Sequence, residues 1–106
     1  MPFEIELTQL AREHLSAIRL FDRARIVDEI KEQLTYQPDV ETRNRKRLEN
    51  ITPEFEHEPP VWELRVGNYR VYYDVSTESN IVTVRAVREK KQGQTTEDLI
   101  HDQDDD

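Results

Sequence analysis

The segment Trp62-Glu63-Leu64-Arg65-Val66-Gly67-Asn68-Tyr69-Arg70-Val71-Tyr72-Tyr73-Asp74-Val75 constrains the fold more tightly than any other part of the chain. Trp62, Leu64 and Val66 alternate with Glu63 and Arg65, and Tyr69, Val71, Tyr73 and Val75 alternate with Arg70, Tyr72 and Asp74. Period-two alternation on both sides of a short break predicts two strands, each with one apolar face. Gly67-Asn68 in the break supplies residues that readily take positive φ, as a two-residue hairpin turn demands. The register follows: Val66 opposite Tyr69, and Arg65 opposite Arg70. Two cations facing each other across a strand pair repel, and an anion between them removes that cost.

Around the hairpin the chain alternates element types. Phe3 to Leu7 reads as a half-buried strand, and Thr8 can cap a helix carrying Ala11, Leu15 and Ile18 on one face. Asp22 is the predicted N-cap of a second helix, with Phe21 and Ile26 spaced as a hydrophobic staple and Pro38 as its stop. Glu49 to Pro60, with Pro53, Pro59 and Pro60, reads as an irregular loop. A last strand runs from Ile81 to about Val87, with Val82, Val84 and Ala86 on one face and Thr83 and Arg85 on the other. The expected fold class is therefore α+β: a small, mostly antiparallel four-stranded sheet with two N-terminal helices packed on one face. The second face is left for function.

With 106 residues the chain fits one domain, expected over 1–96, and residues 97–106 read as an acidic, flexible tail with one short helix near Thr96 to Ile100. The absence of cysteine excludes disulfides and thiolate metal sites, and the three histidines have no metal-ligand spacing. No metal and no small-molecule cofactor is expected. Neither a secretory leader nor an apolar run of membrane-spanning length is present, so a cytoplasmic protein without a membrane partner is the simplest expectation. The net charge of −8 by itself argues against a nucleic-acid ligand, but six of the acidic residues lie in the last ten positions. Residues 61 to 96 are mildly basic, with six cations against four carboxylates.

Leu64-Arg65-Val66-Gly67-Asn68-Tyr69-Arg70, with the helix pair before it and Val87-Arg88-Glu89-Lys90-Lys91 after it, resembles the RelE/ParE superfamily of type II toxin–antitoxin toxins. The resemblance spans roughly residues 3 to 91 and is closer to the RelE branch. It implies a toxin neutralised by a cognate antitoxin protein, acting on the ribosome as an endoribonuclease (mRNA interferase) that cuts messenger RNA and blocks translation. A ParE-like gyrase inhibitor, or a catalytically impaired module that retains antitoxin binding, are the alternatives. Cleavage of this kind uses the ribose 2'-hydroxyl as nucleophile and needs cations around the phosphate. Carried over residue by residue, Arg65, Arg70 and Lys90 match the family's basic catalytic positions. Glu63 stands where RelE has a basic residue, and no Tyr or His follows Lys91 where many active members have one before the chain turns to the tail. Glu63 is either a substitute general base or a neutralising partner of Arg65.

Further RNA-binding candidates come from strand parity and charge: Arg85, Arg88, Lys91, and Tyr72 as a base-stacking residue or an amphipathic residue at the sheet rim. Arg45 and Lys46 belong to the run Arg43-Asn44-Arg45-Lys46-Arg47, which reads either as a solvated loop or as a phosphate-facing patch.

Overall fold

A computed structural model describes residues 1–100. Strand β1 (Glu4–Leu7) is followed by helices α1 (Gln9–Ser16) and α2 (Leu20–Leu34). Then come β2 (Arg45–Arg47), β3 (Trp62–Val66), β4 (Tyr69–Ser76), β5 (Ile81–Glu89) and α3 (Thr96–Ile100). The sheet has five strands in the order β1-β5-β4-β3-β2, antiparallel except for the β1–β5 pair. The α+β class is as expected, with one strand, β2, more than the sequence indicated and the short helix at Thr96–Ile100 where it was expected. No helix among the described residues is long and apolar enough to cross a membrane.

The hairpin has the expected register, Val66 facing Tyr69 and Arg65 facing Arg70. Gly67 alone turns the chain with positive φ (57°), which corresponds to a two-residue turn with glycine in its first position. Thr8 caps α1 by accepting from the Ala11 N–H at 3.1 Å. Helix α2 starts three residues earlier than an N-cap at Asp22 would place it. Arg19 is its N-cap residue, Asp22 sits in the first turn accepting from Arg19 Nε at 2.9 Å, and Phe21 is exposed rather than stapled.

Two cores lie on opposite faces of the sheet. Between the sheet and the α1/α2 pair, Ala11, Leu15, Ile26, Ile30 and Leu34 meet the inward residues of β3, β4 and β5, including Trp62, Val71, Tyr73 and Val84. On the second face, Leu48, Val61, Tyr72, Ala86, Leu99 and Ile100 form a smaller cluster. That face is half covered, not left open. Leu99 and Ile100 are fully buried there, so the first four residues of the expected tail pack against the sheet as α3; residues 101–106 lie outside the described residues. Leu99→Ala is expected to cost about 3 kcal/mol, as for other large-to-small changes in cores, and a urea titration with an unchanged m value will show it.

A bulge in β5 explains how one strand feeds both cores. Tyr72 pairs with Ala86 and Tyr73 with Val84, leaving Arg85 as the additional residue. The alternation therefore slips by one: Ala86 turns to the second face with Tyr72, and Val87 turns to the helices. The expected placement of Ala86 beside Val82 and Val84 assumed an unbroken strand.

Candidate functional site

The second face of the sheet is open at the hairpin end, where β2, β3 and β4 meet the end of β5. A cleft of about 300 Å³ lies there. The four residues singled out as catalytic, Glu63, Arg65, Arg70 and Lys90, all line it, as do Arg45 and Lys46. In total its walls carry six basic residues and one carboxylate, on a chain whose net charge is −8.

Each wall has a local cause. β3 turns Glu63 and Arg65 away from the helices because Trp62, Leu64 and Val66 take the apolar side. Arg65 is exposed, its backbone N–H donates to the Asn44 carbonyl at 2.8 Å, and its guanidinium has no ion pair among the described residues. Opposite it, Arg70 is 7 % exposed and is fixed by Nη1, which donates to the carbonyls of Gly67 and Tyr69, both at 2.9 Å. Arg88 stands in register with Arg70 on the next strand. Lys90 enters the cleft just beyond β5, held by its backbone N–H to the Asn68 carbonyl at 2.6 Å.

Glu63 is buried, and its partner is not Arg65. Its Oε2 accepts from the Tyr72 hydroxyl at 2.9 Å and the Thr96 hydroxyl at 3.0 Å, while Oε1 lies 3.7 Å from Lys46 Nζ. The carboxylate thus joins the cleft wall to the second core and to the first residue of α3. Burial, then the charge of Glu63, then the hydrogen bond to it push the Tyr72 phenol well above its ordinary value, despite the opposing influence of Arg70 and Arg88. Tyr72 consequently acts as a donor that orients Glu63. It is fully buried and unable to stack on a base, because Phe55, Leu99 and Ile100 cover the position that strand parity left open.

Two more RNA-binding candidates are held by hydrogen bonds within the protein, Arg85 away from the cleft and Arg45 in its wall. Arg85 Nε and Nη2 donate to Asp74 at 2.7 and 3.4 Å, and Asp74 also accepts from the Glu58 N–H at 2.9 Å. The bulge aims Arg85 at this carboxylate and away from the cleft. Asp74→Ala is expected to cost about 3 kcal/mol, because it strands a half-buried guanidinium, with RNA affinity of the folded protein unchanged; denaturant titration beside a binding curve measures both. Arg45 lines the cleft but is 7 % exposed, with Nη1 donating to the Gln33 carbonyl at 2.7 Å and Nε to the Val40 carbonyl at 3.0 Å. It ties β2 to the end of α2. Lys46 is exposed at the rim, Lys91 lies beyond Lys90 in an adjoining concavity, and Arg88 lines a separate concavity at the edge of α1.

The sequence reading passed over Asn44, Thr96 and Arg25. Thr42 Oγ1 accepts from the N–H groups of Asn44 and Arg45, both at 3.2 Å, a turn that Thr-x-Asn could have signalled. Thr96 and Arg25 carry no such local signal.

Residues 5–93 match the family model of the ParE toxin of type II toxin–antitoxin systems, parDE. The chain belongs to this family. The RelE/ParE resemblance carried by the hairpin motif is thereby borne out, and the protein is a toxin of the type II toxin–antitoxin class. Among solved structures, the fold is similar to a chain of the RelBE2 toxin–antitoxin complex of Mycobacterium tuberculosis, with a TM-score of 0.67 and 23 % identity, covering 85 % of this chain and 93 % of that one. A chain of the archaeal RelE–RelB complex of Pyrococcus horikoshii gives a TM-score of 0.66 at 18 % identity, covering 87 % and 99 %. The isolated RelE toxin of E. coli gives 0.63 at 16 % identity, covering 87 % and 88 %. No protein of curated function matches the chain at a significant level. At these identities the structural likeness establishes the ParE/RelE fold alone, and the chemistry has to be argued from the cleft.

Proposed function

We propose that this ParE-family toxin is a ribosome-dependent endoribonuclease that cleaves messenger RNA in the cytoplasm and is neutralised by a cognate antitoxin. The observation that carries this reading is the convergence of Arg65, Arg70 and Lys90 around a single carboxylate, Glu63, in one cleft. A phosphodiester seated there relieves the repulsion between the facing arginines, and its developing charge is met by donors already in place. Glu63 takes the proton of the ribose 2'-hydroxyl as that oxygen attacks the adjacent phosphorus. The bond to the 5'-oxygen breaks, and Lys90 is the cation available to give that oxygen a proton. The products are a 2',3'-cyclic phosphate and a 5'-hydroxyl. The RelE relatives of known structure in complex with RelB support a protein antitoxin as the partner.

A second reading has its own observation. None of the described residues lining the cleft is a Tyr or His, and the matching family model is that of ParE, whose members the resemblance associates with gyrase. One induction experiment separates the two. The protein is expressed beside Arg65→Ala, and transcript 5' ends are mapped within minutes. New in-frame cuts in translated messages that vanish with Arg65→Ala support the nuclease. Growth arrest with intact transcripts and a DNA-damage response supports gyrase, and normal growth supports a module that binds antitoxin without catalysis.

A further inference from the structure

The cleft does not end at the hairpin. A second concavity, of about 560 Å³, opens between α2 and the hairpin tip, and Arg65 and Arg70 line both. A third, at Asn68, Lys90 and Lys91, adjoins on the other side and again includes Arg70. Together the three carry eight basic residues against three acidic ones. In the second concavity the additional cation is Arg25, exposed on α2 and without an ion pair among the described residues. Its guanidinium lies against the bare backbone of Gly67: a Cβ added there would come within 2.9 Å of Arg25 Nη1. The hairpin glycine thus gives Arg25 its seat as well as turning the chain. Arg70, whose Nη1 is held by the turn carbonyls, presents a fixed plane between the concavities. Three guanidinium forks around one opening suit phosphate, which each can bind with paired N–H donors.

We infer that the concavity formed by Arg25, Arg65, Asn68 and Arg70 is a second anion subsite that holds a backbone phosphate neighbouring the one in the cleft. This rests on the reading of the cleft as an RNA site, and it makes Arg25 an RNA-binding residue. A continuous basic track over adjoining concavities fits a polymer with one charge per unit better than the scattered carboxylates of an acidic protein segment.

The test uses the full chain and a short, fluorescently labelled 2'-O-methyl RNA, which binds but lacks the nucleophile. Affinity is measured across a salt series for the parent protein, Arg25→Ala, Arg65→Ala and Lys31→Ala. Lys31 is exposed on the same helix and lines none of the three concavities, so its variant removes equal charge elsewhere. Arg25→Ala is expected to weaken binding about 5- to 10-fold and to flatten the dependence of log affinity on log salt by about 0.7, one phosphate contact on a single strand. Lys31→Ala should change neither quantity appreciably. If Arg25→Ala behaves like Lys31→Ala while Arg65→Ala weakens binding, the second subsite is overturned and the cleft stands. If Arg65→Ala also matches the control, the RNA reading of the cleft fails with it. Loss of affinity for a polyaspartate peptide with unaltered RNA affinity in Arg25→Ala would overturn the inference in favour of an acidic protein ligand.

Discussion

Arg65→Ala is expected to slow cleavage of translated messages by about 100- to 1000-fold, the usual effect of removing one preorganised donor from a developing oxyanion. Because the side chain is exposed and has no ion pair among the described residues, its loss should leave folding stability within about 0.5 kcal/mol. Removing one of two facing cations relieves repulsion with Arg70, so any change should be toward greater stability. Arg70 is the poorer choice for this test, since its guanidinium also braces the hairpin turn. Arg65→Lys keeps the charge without the planar fork and should recover only part of the rate. Single-turnover cleavage in a purified translation system, with thermal unfolding of the same samples, measures rate and fold together. Full activity in Arg65→Ala would remove the cleft from the chemistry.

The second large effect is on stability at high pH. Tyr72 and Tyr73 are both fully buried, and burial is the leading cause that pushes each phenol above its ordinary value. Tyr73 donates to the Pro38 carbonyl at 2.7 Å, and Tyr72 donates to Glu63. In the unfolded chain both phenols lose their protons near pH 10, while in the folded protein both keep them to higher pH. Above pH 10 the native state therefore binds more protons than the unfolded state, and stability falls as pH rises. The stabilisation is complete below pH 10, and the loss above it approaches about 3 kcal/mol per pH unit when both residues contribute. Urea titrations at several alkaline pH values will show the slope. Tyr73→Phe should halve it, at some cost in stability at neutral pH from the unsatisfied Pro38 carbonyl. An unchanged slope in Tyr72→Phe/Tyr73→Phe would refute the assignment.

How much of this was legible in the sequence depended on whether the information was local. The hairpin register and the pairing of Arg65 with Arg70 follow from alternation and one glycine turn, and both are as expected. β2 has only Arg-Lys-Arg, with no apolar alternation to announce it; the neighbouring edge of β3 makes it a strand. The second core draws Leu48, Val61, Tyr72, Ala86, Leu99 and Ile100 from five separate stretches of chain, so no periodicity marks it. That is why Tyr72 was placed at a wet rim and residues 97–100 in a tail. The cleft was legible because its principal cations lie on the hairpin and just past the last strand. The ties of Arg85 to Asp74 and of Arg45 to the Gln33 carbonyl were not legible, because charge alone does not show which carboxylate or carbonyl lies within reach.

The slip at Arg85 makes the length of β5 as consequential as its composition. Were the strand to pair without the bulge while keeping Arg85, every position after it would reverse, pointing Val87 toward the arginines and Arg88 into the oily layer beneath the helices. A family member one residue shorter here would need no bulge and would keep the polarity of its last strand residues and the same working surface. Comparisons among such chains are therefore best anchored at the hairpin and counted outward in strand positions, with the gap placed at Arg85, since placing it beyond Arg88 would equate a core residue with a charged one.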